Sequence, residues 1–203
     1  MCLVIHKPAH AAVPDELLAS AAEYNPHGFG LMALRRDGRL AVYRRSRSRY
    51  TELRRLYREH AAEECVIHLR YRTTGEIDLG NVHPLRVTKD IWLAHNGTLR
   101  LDRPREDRSD TWHAVADYLR PILKRRPGLL HERGFHELLA SWAGPGNRFA
   151  FMDARERRTV IVNREAGVDV EDIWLSNTRW FDASRFPWRP AVAAAPRRLQ
   201  FLL

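Results

Sequence analysis

Cysteine at position 2 carries the most chemistry in this sequence by virtue of where it stands. Removal of Met1, common when the second residue is small, leaves Cys2 with a thiol and a free α-amine on one residue. An ordinary thiol titrates near ~8.5 and an α-amine near ~7.7 to 8.0, so the amine can take the thiol proton close to neutrality and leave a thiolate nucleophile. The alternative is a small apolar side chain in an N-terminal strand, and on its position alone Cys2 fits that account better. The second cysteine, Cys65, precedes an apolar run and reads as buried and inert. The two are spaced neither as a zinc site nor as a disulfide framework, which favours a reducing compartment.

Four polar clusters follow one another along the chain. They are Cys2 itself; the run from His68 to Gly75 (HLRYRTTG) with Asn81-Val82-His83-Pro84 behind it; His95-Asn96-Gly97; and Ser109-Asp110-Thr111. Taken singly they have ordinary explanations as a strand edge, a turn or a helix N-cap. In this order, behind a cysteine at position 2, they resemble the glutaminase domain of class II glutamine amidotransferases, a family of N-terminal-nucleophile hydrolases. The family patterns matched are H-x-R-x-x-T-x-G, N-x-H-P, H-N-G and S-D-T. Two further runs, HGFGLMAL and GNRFAFMD, echo strands of the same domain, so the likeness extends from Cys2 to about Asn177.

What the resemblance implies can be stated residue by residue. Cys2 would attack the side-chain amide of glutamine, and the oxyanion that forms would be held by the Asn96 side chain and the Gly97 backbone N–H. Arg70 suits the substrate α-carboxylate, because a guanidinium pairs bidentately with a carboxylate, and Asp110 suits the α-ammonium. Thr73 and Gly75 would shape the loop beside the pocket, with His83 supporting it. Thr74 stands where the sugar-amidating members often carry histidine, so their synthase-coupled loop closure is not expected here. No cofactor is implied. The ten histidines show no zinc spacing, so no metal is expected, and His68 and His95 read as loop-holding hydrogen bonders.

These residues need elements to position them. Residues 2–6 read as a buried strand and Pro14–Tyr24 as a helix with Leu17, Leu18 and Ala21 on one face. Two apolar runs, Phe29–Leu34 and Leu40–Tyr43, flank Asp37-Gly38 and read as a hairpin, followed by a helix over TELRRLYREHAAEE. CVIHLR and DIWLAHNG are strands that end in polar residues, with a glycine-containing loop between them. Ser109 caps a helix over DTWHAVADYLRPI, a second helix covers GFHELLASW, and RFAFMD, RTVIVNR and DIWLSN add three strands. The family resemblance implies an α+β fold in four αββα layers.

Length and composition set the outer bounds. A chain of 203 residues with 44% hydrophobic residues can form one core, so residues 1–203 read as a single domain whose end, 186–203, is a surface-following tail. No apolar run spans a bilayer and no secretory leader opens the chain, so a cytoplasmic protein without a membrane partner is expected. Nothing after the glutaminase motifs has room for a synthase domain, so a stand-alone enzyme, or one that passes ammonia to a separate partner, is expected. A γ-glutamyl amidohydrolase acting on a small-molecule conjugate is the runner-up. The net charge of +9, and ten arginines against Asp37 and Glu52 between Arg35 and Arg58, admit a third account, a catalytically silent module that binds nucleic acid. A solvated hairpin and helix face explains those arginines better.

Overall fold

The computed structural model describes residues 2–179; Met1 and the tail expected over 186–203 lie outside the described residues. The first strand, β1 (Leu3–Lys7), is hydrogen-bonded on both sides, to β4 (Glu64–Leu69) and β10 (Ile173–Leu175). A strand covered on both faces gains by being apolar throughout, which is why LVI is unbroken. Next to β4 runs β2 (Phe29–Leu34), turned back at Asp37-Gly38 into β3 (Leu40–Arg45), and β9 (Val168–Val170) closes the far side. The order is β3-β2-β4-β1-β10-β9, antiparallel throughout. A second antiparallel sheet holds β5 (Leu85–Arg86), β6 (Ile91–Asn96), β7 (Arg148–Asp153) and β8 (Arg158–Val162), in that order.

Three hydrophobic clusters account for the core. Leu3, Ile5 and Leu31 of the first sheet pack with Leu17, Leu18, Leu53 and Leu56 of α1 (Asp15–Tyr24) and α2 (Tyr50–Glu59). Leu93, Phe149 and Phe151 of the second sheet pack with Val115, Leu123 and Leu139, from the helical segments between residues 110 and 143. The third cluster joins the sheets, with Val4, Met32, Val66 and Trp174 from one and Ala94, Ala150 and Met152 from the other. Alternate residues along β1 thus serve different clusters, as the strand period of two requires. Lys7 is buried as well, with its ammonium donating to the carbonyls of Ala61 at 2.5 Å and Glu63 at 2.7 Å.

The elements depart from the sequence reading in four places. The helix expected over residues 51–64 ends at Glu59; His60 turns back to bond Glu63 and Tyr43, and Glu64 belongs to β4. Ser109 does cap a helix, its hydroxyl accepting from Trp112 N at 3.1 Å. That helix, however, runs as α3 (Asp110–His113), a π-helical stretch (Ala114–Leu119) and α4 (Arg120–Arg125). The widening ends just before Pro121, which has no N–H to offer the carbonyl one turn back. The short strands β5 and β9 are too brief to carry a period-two signal. α5 (Arg133–Ala143) covers the last expected helix.

Trp174 is the largest fully buried side chain of the inter-sheet cluster, and its indole N–H donates to Arg164 O at 2.9 Å. Trp174→Ala is expected to cost about 3–5 kcal/mol of unfolding free energy. Urea denaturation followed by circular dichroism checks this; a loss under about 1 kcal/mol would mean that the sheets do not depend on this contact.

Candidate active site

The register of the first sheet brings the chain start to the motif residues. Leu3 lies opposite Leu69 and Val4 opposite His68, so Cys2, one residue before β1, comes beside Arg70, one residue after β4. Arg70 is pinned there by its backbone, its N–H donating to Gly28 O at 2.7 Å and its carbonyl accepting from His27 N at 3.1 Å. The Cys2 carbonyl accepts from Asn177 Nδ2 at 2.8 Å, and its half-buried thiol lies 3.5 Å from Tyr71 O. Burial pushes the thiol pKa up, and the positive charge of Arg70 works against that.

Cys2, Arg70, Thr73, His83, Gly97 and Asp110 line one small cavity. Its volume is about 20 Å³, room for a single water. The Arg70 guanidinium is buried, which lowers its pKa, and it donates to Glu76 O at 2.8 Å and Thr74 O at 3.0 Å. Arg70 therefore holds the loop that follows it while keeping three of its five N–H donors for other partners. The same loop is tied to the start of α3. Asn81 accepts from Ser109 N at 2.7 Å and donates to the carbonyls of Glu76 and Asp107, and Thr74 Oγ1 donates to Asp110 Oδ1 at 3.3 Å. Gly75, at φ +67°, sits so close to Ser109 that a Cβ would lie 2.7 Å from its amide nitrogen. Asp110 is buried, and its other oxygen accepts from Leu99 N at 2.6 Å.

The end of β6 supplies the opposite wall. Asn147 donates its amide N–H to Ala143 O, which leaves Oδ1 as an acceptor facing His95 Nε2 at 3.0 Å. The His95 proton is therefore on Nε2, and Nδ1 accepts from the Thr111 hydroxyl at 2.7 Å. This one neutral ring links β6, α3 and the turn before β7. Gly97, at φ +153°, follows it so closely that a Cβ would lie 2.2 Å from Asn147 Oδ1. Burial lowers the pKa of His95, holds His68 down at about 3 and puts His83 well below the usual histidine range.

Two expected site residues, Asn96 and Gly75, do not line the cavity. Asn96 is fully buried, with Nδ2 donating to Ser176 Oγ at 2.8 Å and Oδ1 without a partner. The His68 ring packs 4.3 Å from that of His83 and faces the His95 backbone, an interaction that works against the burial lowering its pKa. Cys65 is buried, and burial pushes its thiol up to about 12, so it stays protonated. Of the ten arginines between 35 and 58, five pair with carboxylates: Arg35, Arg45, Arg54, Arg55 and Arg58.

Three contributors escaped the sequence reading. On sequence alone Asn147 belongs to a strand echo, and Ser176-Asn177 to the end of DIWLSN. The signal was present, since DIWLSN ends in polar residues as CVIHLR and DIWLAHNG do. No group of three or more metal-ligating side chains is arranged to hold a metal ion among the described residues, and no helix among them is long and apolar enough to cross a membrane.

Neither the family models nor the curated proteins contain a match to this chain. Among solved structures, the chain is similar to the glutamine phosphoribosylpyrophosphate amidotransferase of B. subtilis complexed with ADP and GMP. The TM-score is 0.50 at 17% sequence identity, over 90% of this chain and 43% of that one. The likeness is one of fold, a mixed α/β architecture with two antiparallel sheets, and the chain spans less than half of that protein's length.

The buried histidines make stability depend on pH with a definite sign. Their folded pKa values lie below the unfolded value of about 6.5, so below that pH the unfolded chain takes up protons the folded chain refuses. Stability is therefore expected to fall from pH 6.5 downward, by as much as about 1.4 kcal/mol per pH unit for each such histidine. Denaturation at pH 7.0 and 5.0 with matched ionic strength reads the slope, and His68→Leu should make it shallower. An unchanged slope in that variant would show that the His68 ring takes up its proton at the same pH in the folded and unfolded chain.

Proposed function

We propose that this chain is a glutaminase-type N-terminal-nucleophile amidase, in which Cys2, freed by removal of Met1, cleaves the side-chain amide of glutamine. The observation that carries the reading is the convergence of Cys2, Arg70, Gly97 and Asp110 on one small cavity. The shared fold with an amidotransferase agrees with it. A four-layer αββα arrangement belongs to the same reading. Its support is the three separate clusters, one between each sheet and its helices and one between the sheets.

The chemistry follows from the groups present. The α-amine of Cys2 takes the thiol proton, and the thiolate adds to the amide carbon. Arg70 and Asp110 hold the α-carboxylate and α-ammonium, which fixes the amide over the sulfur. The tetrahedral oxyanion accepts from the Gly97 N–H and from Asn96 Nδ2. Collapse returns the proton from the α-ammonium of Cys2 to the leaving nitrogen and releases ammonia. Water then hydrolyses the thioester to glutamate and regenerates the thiol.

Asn96 can take its part by turning its amide through 180°. As placed, three N–H groups converge on Ser176 Oγ, from Val4, Asn96 and Asn177, while Asn96 Oδ1 has none. With the amide turned, the Ser176 hydroxyl donates to Oδ1 and Nδ2 no longer bonds Ser176. The two amide ends are nearly isosteric, so the exchange asks little of the packing around them. Arg70 and Asp110 specify the α-end of the substrate and leave open what hangs from its amide nitrogen. Turnover of free glutamine against γ-glutamyl conjugates decides between a glutaminase and the γ-glutamyl amidohydrolase alternative.

Intact mass spectrometry after exposure to an electrophilic glutamine analogue tests the nucleophile. Loss of Met1 and one adduct on Cys2 are expected, with labelling abolished in Cys2→Ala and kept in Cys65→Ala. A retained Met1 with no adduct would sink the proposal. In steady-state assays Asn96→Ala is expected to lower kcat by about 100- to 1,000-fold. Arg70→Ala should act mainly on KM, raising it by about 10- to 100-fold.

A further inference from the structure

β3 is an edge strand of the first sheet and β5 of the second, and residues of both line one surface groove. It is concave, with a volume of about 840 Å³, within the range of small-molecule sites. Pairing registers decide what faces it. Val42 lies opposite Met32, and Arg86 opposite Trp92, which is itself opposite Met152. Met32 and Met152 belong to the inter-sheet cluster, so Val42, Trp92 and Arg86 share its side, as do Leu40 and Arg44 two residues to either side of Val42. The floor is thus apolar, made of Leu40, Val42 and Trp92, and the rim is cationic.

Arg39, Arg44, Arg86, Lys89 and Arg155 stand on that rim against one carboxylate, Asp90. Lys89 reaches Asp90 only at 3.9 Å, and Arg155 reaches the outlying Glu156 at 3.6 Å. Arg39, Arg44 and Arg86 have no carboxylate within ion-pair distance among the described residues. Arg44 is the most telling of the three. Its guanidinium is half-buried, burial lowers its pKa, and its hydrogen bond is to a neutral carbonyl, Leu79 O at 3.1 Å. A desolvated cation without a counter-charge is costly, and an anion in the groove would relieve that cost.

We propose that this groove, remote in its lining from the Cys2 cavity, binds a nucleotide-class ligand, with the phosphates held by Arg44, Arg86 and Lys89 and the planar base laid against Trp92. Guanidinium groups pair bidentately with phosphate oxygens, and a tryptophan face accepts a base by stacking. A single aromatic platform, Trp92, fits one base. A nucleic-acid strand asks for a longer basic track with a platform for each of several bases. The inference stands independently of the amidase reading, because it shares no residue with that site.

Calorimetric titration of the full chain with ADP, inorganic pyrophosphate and adenosine tests it. ADP is expected to bind, pyrophosphate to bind more weakly and adenosine more weakly still, with ADP affinity falling at 0.5 M salt, a concentration at which the Debye length is only about 4 Å. Arg86→Glu with Lys89→Glu, both on exposed side chains, should weaken ADP by about tenfold or more. Trp92→Leu should weaken ADP by about tenfold and leave pyrophosphate within about twofold. Failure of ADP to bind, equal binding by the Arg86→Glu/Lys89→Glu variant, or binding of single-stranded RNA but not of ADP would each overturn the proposal.

Discussion

The pairing of β1 between β4 and β10 is the constraint from which the rest of this molecule follows. Chain termini are ordinarily the least ordered part of a domain, and here the third residue is already hydrogen-bonded into a six-stranded sheet. A slip of one residue would turn Leu3 and Ile5 away from the helices and drive Val4 out of the inter-sheet cluster. The hydrophobic pattern of LVI thus sets where the sulfur of Cys2 lies. The position of this thiol is secured by core packing, the least negotiable term in the fold.

Around that anchor the polar motifs act as couplings between elements. His95 joins α3 to the turn before β7 through Thr111 and Asn147, and Asn81 joins the loop after Arg70 to the same helix start. Each coupling uses a buried group with its hydrogen bonds satisfied, which rigidifies what it joins. His68 packs its buried ring against that of His83 beside the same cavity.

Much of this was legible in the chain itself, for identifiable reasons. Strong local patterns gave β1, α1, the β2–β3 hairpin and β7, since each carries a clean period or a favoured turn pair. Residue order grouped Arg70, Gly97 and Asp110 with Cys2, and the four line one cavity. What failed was local geometry. Nothing in TELRRLYREHAAEE marks the stop at Glu59, because His60 leaves the helix for Tyr43 and Glu63, partners set by tertiary packing. The π-helical turn before Pro121 and the two- and three-residue strands β5 and β9 lack any periodic signature. Ser176, Asn147 and Asn177 went unread because their work is done across distant parts of the chain, with one bond each to a residue 80, 52 or 175 positions away.

The small size of the Cys2 cavity has a thermodynamic corollary. At about 20 Å³ it admits one water and lies far below the roughly 300 to 1,000 Å³ of a pocket that engulfs a ligand. On the amidase reading proposed above, a substrate of amino-acid size needs a wider, opened form of this cavity. Its apparent affinity is the intrinsic one scaled down by the fraction of molecules that are open. The closure is held by Arg70 on Thr74 and Glu76 and by Thr74 on Asp110, a few bonds that a neighbouring surface could trade for its own. Anything that stabilised the opened loop would raise substrate affinity without touching the substrate, and occupancy of this site would then report on the company the protein keeps.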